Sequence, residues 1–188
     1  MLEDMLVLAS KSPRRSEILK QAGFNFAVRA ANVSEDRRGE ETPVNFVKRL
    51  AAEKARAVQR SENEVILGAD TIVLAGGEIL GKPKNAADAG RMLQLLSGRR
   101  HEVLTGICLR TAARDIVDCA VTKVFFSPLN RDEISTYVAS GEPMDKAGAY
   151  AIQGLASKFV ERIDGCYFNV VGLPVSLVYR YLSGMSLL

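Results

Sequence analysis

Three places in this chain put chemically capable residues where packing alone does not ask for them. The first is Leu6-Val-Leu-Ala-Ser-Lys-Ser-Pro-Arg-Arg15. An apolar run of strand type ends in two serines. Pro13 suits the first position of a helix, where its missing N–H would be unsatisfied anyway, and Ser12 stands at the N-cap. Backbone N–H groups, the hydroxyls of Ser10 and Ser12, and the cations Lys11, Arg14 and Arg15 then gather at the positive end of a helix. That set suits an anion, phosphate first. An ordinary capped helix with solvated basic residues fits the same stretch.

The second place is Lys54. At about 100° per residue, Val44, Val47, Leu50, Ala51, Ala55 and Val58 share one face of a helix, and Lys54 falls near its middle. An ammonium there costs on the order of several kcal/mol unless it meets an anion. Either it snorkels to the helix edge or it reaches a phosphate or a catalytic carboxylate. The third is Asp70, which follows an apolar strand and precedes Ile72-Val-Leu74. Such a carboxylate is paired, metal-bound or catalytic, or it forms a turn with nearby backbone. Two weaker signals accompany these. Gly81-Lys82-Pro83-Lys84 places lysines before a capped helix and, taken alone, reads first as a solvated loop. Asp145–Gly154 is rich in small residues; it lets a ligand approach backbone, with Gln153 able to read an amide or carbonyl edge, or it is a packed turn.

The elements that must position these residues mingle helices and strands. Strand Leu6–Ala9 leads into helix Pro13–Ala22, closed by Gly23, and a polar loop carries Glu35 to Arg38. Thr42-Pro43 starts a long helix to about Arg60. Val65–Leu67 is a short buried strand before Gly68-Ala-Asp-Thr71, and Gly76-Gly77 joins Ile72–Leu74 to Glu78–Leu80 in a tight hairpin. Asn85 caps a helix through Leu96. Residues 101–110 and 116–126 are longer strands, and Asn130 with Glu133 starts a helix ended by Gly141. Phe159–Ile163 and Tyr167–Val171 form a hairpin about Asp164-Gly165, and a last helix follows Pro174. The expected fold is α/β with a mixed sheet, in a single domain over residues 1–188.

Composition narrows the chemistry. With 188 residues, 47% hydrophobic and 25% charged, the chain reads as globular, and no apolar stretch approaches a bilayer span. The start, Met-Leu-Glu-Asp-Met, lacks the basic and apolar regions of a secretory signal, so a cytoplasmic location is the default expectation. The single histidine, His101, argues against His-rich metal sites and Ser-His or Cys-His triads. The three cysteines have no paired ligand spacing; Cys108 and Cys119 read as small buried residues. A metal would be held mainly by oxygen, which favours magnesium or manganese. A net charge of +3, with the basic residues spread out, does not suggest nucleic acid, and no P-loop motif occurs. Neither a nucleic acid nor a membrane is expected as a partner. The apolar C-terminal helix suits either a homodimer interface or the core.

Taken together, the segments resemble the Maf family of nucleotide pyrophosphatases. The matches are Leu8–Arg15, Glu35, Glu53–Arg56, Gly68–Thr71, Gly81–Pro83, Ser140–Pro143, Asp145–Gly154 and Asn169–Pro174, in order over almost the whole chain. The resemblance implies a fold akin to inosine triphosphate pyrophosphatase, two lobes around a nucleotide cleft. It implies hydrolysis of a nucleoside triphosphate to monophosphate and pyrophosphate with a divalent cation, in nucleotide-pool housecleaning. The loop Lys146–Gln153 is similar to the branch acting on dTTP and UTP. The alternatives are the same chemistry on another or modified nucleotide such as 7-methyl-GTP, or a non-catalytic nucleotide-binding regulator of cell division. By position, Asp70 is the proton acceptor, and Arg14, Thr71 and Gln153 influence base selection. The expected phosphate-binding set is Ser10, Ser12, Arg14, Arg15, Lys54 and Lys82, with Glu35 and Asp70 holding magnesium or manganese.

Overall fold

The computed structural model describes residues 5–30, 32–183 and 185. The elements in chain order are β1 (Met5–Leu8), α1 (Pro13–Gln21), β2 (Phe26–Val28), α2 (Pro43–Arg56), β3 (Glu64–Ala75) and β4 (Glu78–Leu80). They continue as α3 (Ala86–Leu96), β5 (Arg100–Arg110), β6 (Asp115–Phe126), α4 (Arg131–Ala139), β7 (Val160–Asp164), α5 (Tyr167–Val171) and α6 (Val175–Leu182). Three short 3-10 turns, Glu142–Asp145, Ala147–Ala149 and Leu155–Phe159, lie between α4 and β7. The seven strands form one sheet in the order β2-β1-β3-β5-β6-β7, with β4 paired to β3. β1 runs parallel to β2 and β3, while β4 and β7 run antiparallel to β3 and β6. The sheet is therefore mixed, as expected. Among the described residues no helix is long and apolar enough to cross a membrane.

The chain divides into two compact units, Met1–Asp70 with Thr105–Ala120 and Gly172–Leu188, and Thr71–Leu104 with Val121–Val171. In the first, Val7, Ala51, Ala55, Ile66 and Cys108 pack into a core. β1 is buried from Leu6 to Leu8, which explains a continuous apolar run rather than an alternating one. In the second, Val73, Leu93, Leu96, Val124, Phe126, Tyr150 and Phe159 form another core.

Local chemistry sets the starts of three helices. Thr42 accepts from the Asn45 N–H, Asn85 from that of Asp88, and Asn130 with Glu133 forms a reciprocal capping box. Gly76 and Gly77, at φ +57° and +82°, make the β3–β4 turn.

The structure differs from the sequence expectation in four elements. β3 is one strand of 12 residues, without the expected break at Gly68–Thr71, so Asp70 sits in extended backbone rather than in a turn. β2 was not expected: three half-exposed residues carry no pattern, and their pairing to β1 makes them a strand. α2 stops at Arg56 rather than near Arg60, whose guanidinium instead takes the carbonyls of Ser61 and Glu62. Tyr167–Val171 is a helix and not the second arm of a hairpin. There the Asn169 amide donates to the Val103 carbonyl (3.0 Å) and to Thr122 Oγ1 (2.9 Å), and Gly165 passes so close to Thr122 that a Cβ would lie 2.8 Å from its hydroxyl.

Candidate active site

In the first unit β1 delivers Ser10, and α1 begins at Pro13. Ser12 has the extended dihedrals of an N-cap, yet its hydroxyl makes no cap hydrogen bond. Its N–H donates instead to Ser10 Oγ at 3.2 Å. Arg15, 9% exposed, faces inward: Nε donates to the Gly172 carbonyl (2.8 Å), and one Nη to the Ala69 carbonyl (2.8 Å) and Ser10 Oγ (3.1 Å). Arg15 thus ties the β1–α1 turn to the backbone immediately before Asp70. Burial pushes its pKa down, with the charge of Asp70 acting the other way. Lys11 donates to Asn32 Oδ1 at 2.8 Å. Arg14 is half-buried beside Arg15, whose pKa its charge also lowers.

The apolar stripe of α2 resolves in favour of a carboxylate partner for its lysine. Lys54 Nζ donates to Asp70 Oδ1 at 2.6 Å and to Glu35 Oε1 at 2.7 Å. The side chains of Lys54 and Asp70 are 12% and 9% exposed, whereas Glu35 is open to solvent at 58%. Asp70 is raised above its usual pKa because burial disfavours its charge; Lys54 and then Arg15 oppose that shift, and Glu35 adds to it. The result is a buried carboxylate with raised proton affinity and a cation bound to one of its two oxygens.

Glu35 reaches this group from a loop that has no regular structure of its own, and Arg49 anchors it. Arg49 grips Glu41 with Nε and one Nη (2.6 and 2.9 Å), bonds Glu53 one turn along the helix, and donates to the Asp36 carbonyl at 2.9 Å. Arg38 pairs with Glu53 and its N–H meets Glu41. Arg49 was not among the residues singled out from the sequence. The i,i+4 spacing of Arg49 and Glu53 was the available signal.

Which residues could hold a divalent cation follows from the donor set. Glu35 and Asp70 converge on one cationic point, the Lys54 ammonium, with hard oxygen donors of the type magnesium and manganese prefer. Among the described residues no group of three or more His, Cys, Asp or Glu could hold a metal. Two carboxylates fit a metal that completes its shell with water and substrate phosphate, the usual habit of magnesium.

The remaining candidates belong to the second unit. Thr71 is half-buried on β3. Lys82 follows β4, and the Gly81 carbonyl before it accepts from the Gly148 N–H at 3.0 Å, joining its loop to the one that carries Gln153. Gly148 has φ +69° and packs where a Cβ would meet Val73 at 2.7 Å, so this contact needs glycine. Tyr150 in the same loop bonds His101 at 2.9 Å, and both rings meet Phe126 edge-to-face. Gln153 itself is exposed.

The architecture is shared with a solved structure, that of the Staphylococcus aureus Ham1 protein. The two match with a TM-score of 0.56 and 15% identity, covering 96% of this chain and 99% of that one. The class is thus an α/β protein of Ham1 fold with a lysine-bound, buried carboxylate on β3. The family is narrower: a model described as Maf-like protein matches residues 5–185, and the chain belongs to the Maf family. It is 55% identical to the dTTP/UTP pyrophosphatase of Geobacter metallireducens over 97% of each chain. It is also 49% identical to the protein of that name from Koribacter versatilis, over 94% of this chain and 92% of the other.

Proposed function

We propose that this chain hydrolyses dTTP and UTP to the nucleoside monophosphate and pyrophosphate, and so removes these nucleotides from the pool. The observation that carries the reading is the buried Asp70 held by Lys54, in a chain about half identical to proteins named for that activity. Asp70 takes a proton from water as the water oxygen bonds to the α-phosphorus. The bond from that phosphorus to the α,β-bridging oxygen breaks, and pyrophosphate leaves. Lys54 opposes the rise that burial causes in the Asp70 pKa and aligns the carboxylate through Oδ1. Glu35 and Asp70 would hold a magnesium or manganese ion, which when bound offsets phosphate charge and acts as a Lewis acid.

The hydroxyls of Ser10 and Ser12 and the N-terminus of α1 receive phosphate oxygens, with Arg14 and Lys82 supplying positive charge. Arg15 contributes its charge from behind, since its donors already face the Ala69 and Gly172 carbonyls. Arg14, Thr71 and Gln153 are the proposed base-selecting residues, a glutamine amide matching both a carbonyl and an N–H of uracil or thymine.

Product analysis tests the reaction. Monophosphate plus pyrophosphate is expected from dTTP and UTP; diphosphate plus phosphate would refute it, and a preference for 7-methyl-GTP would overturn the choice of base. Asp70→Asn should lower kcat by about 10²–10⁴-fold, the usual worth of a general base. Near-normal turnover removes Asp70 from that role.

A further inference from the structure

We propose that Glu142, with Tyr137, is a positioning residue for base selection: a clasp that fixes the backbone on both sides of Gln153. The proposal rests on the reading of Gln153 as a base-selecting residue. Tyr137 lies in the last turn of α4, and Glu142 opens the 3-10 turn that follows it. Tyr137 Oη donates to Glu142 Oε1 at 2.9 Å and accepts from the Ala151 N–H at 3.2 Å. The second carboxylate oxygen of Glu142 accepts from the Leu155 N–H at 3.1 Å. Ala151 and Leu155 stand two residues before and after Gln153, and the Gly154 N–H closes a turn onto the Ala151 carbonyl at 3.1 Å.

Glu142 is itself set by Gly141 in the left-handed region and by its N–H on Ser140 Oγ. Burial and the adjacent carboxylate push the Tyr137 phenol up, so it remains a donor. Gly154 is the third part of the device. A Cβ there would lie 2.3 Å from both oxygens of Glu142, so the carboxylate lies flat against backbone that only glycine leaves bare. The exposed residue of this turn is then Gln153, held on a backbone bonded on either side. Uracil and cytosine reverse donor and acceptor at two adjacent positions. Fixed backbone limits the positions from which the Gln153 amide can meet the base, and a released turn widens them, so discrimination falls.

The test measures kcat/KM for UTP and CTP with magnesium in the wild type, Glu142→Gln, Gly154→Ala, the double variant and Gln153→Ala. Glu142→Gln replaces one acceptor oxygen by a donor, and Gly154→Ala displaces the carboxylate, so the two open one clasp by different routes. Each is expected to lower the UTP-to-CTP ratio by about tenfold, as for one lost hydrogen bond to the base, and the double variant no further. Melting temperatures identify which variants fold. If either folded variant keeps the wild-type ratio while Gln153→Ala lowers it, the clasp is refuted and the role of Gln153 stands. If Gln153→Ala leaves the ratio unchanged, the base reading falls and the clasp falls with it.

Discussion

Asp70 is held between opposing influences, and their signs make its titration testable. Its burial raises the pKa from an ordinary 3.8, Glu35 raises it further, and Lys54 and Arg15 pull it back. A base must lose its proton to act, so the acid limb of kcat/KM should lie above the ordinary aspartate range. Lys54→Met removes the largest opposing influence, so that limb should move to higher pH. Glu35→Gln removes a like charge, so it should move the limb lower. Opposite displacements in two pH–rate profiles would be hard to produce by general damage to the site. If both variants keep the wild-type limb, Asp70 is not the group that sets it. Arg15 differs from these residues: with its donors on backbone carbonyls, its loss should leave buried acceptors unpaired and reduce stability as well as rate.

At the scale of elements, the contact of Lys54 with Asp70 depends on how closely α2 lies against the strands. A Cβ on Gly68 would be 2.1 Å from the Ala51 carbonyl oxygen and 2.8 Å from the Ala55 nitrogen; one on Gly106 would be 2.3 Å from the Val47 carbonyl oxygen. These neighbours are helix backbone, which cannot turn aside, so Gly68→Ala and Gly106→Ala should each destabilise by about 3 kcal/mol or more in urea unfolding. Gly90→Ala provides the contrast. It lies inside α3, where the nearest atom to an added Cβ is 4.0 Å away, and should stabilise by about 0.5–1 kcal/mol. Equal losses at all three sites would mean that close approach is not what the first two glycines serve.

The same contrast explains what could be read from the sequence. Caps at Thr42, Asn85 and Asn130 are local chemistry, and all three are as expected. Lys54 was legible because helical period alone placed it on an apolar face. The continuity of β3 was not, because Gly68 looks like a chain-breaker until a helix backbone is laid on it. β2 and α5 depend on pairing and on the Asn169 amide, both remote in sequence. The anchoring of Glu35 through Arg49 and the clasp of Glu142 likewise join residues whose proximity no periodicity reports.

For the whole molecule, each unit carries its own acid-sensitive group, and the two titrate in different windows. In the first unit Glu64 takes both arms of Arg29 and the Ser61 N–H, which push its pKa from 4.5 to about 2. In the second, burial pushes His101 from 6.5 to about 4, and its Nε2 meets the Tyr150 hydroxyl at 2.9 Å. The unfolded chain takes up the histidine proton below pH 6.5, while the folded chain resists it down to about pH 4. Stability present above pH 6.5 is therefore lost as the pH falls through that interval, by about 3 kcal/mol in order of magnitude. The contribution of Glu64 is lost later, between 4.5 and about 2. Urea unfolding of the wild type at successive pH values should thus show a decline that begins near pH 6.5, well above carboxylate titration. His101→Gln keeps a hydrogen-bonding group towards Tyr150 but removes the titration, so it should flatten the decline between pH 6.5 and 4.5 and leave the later loss in place. An unchanged slope in that variant would mean that the neutral, buried histidine is not what makes the fold sensitive to mild acid.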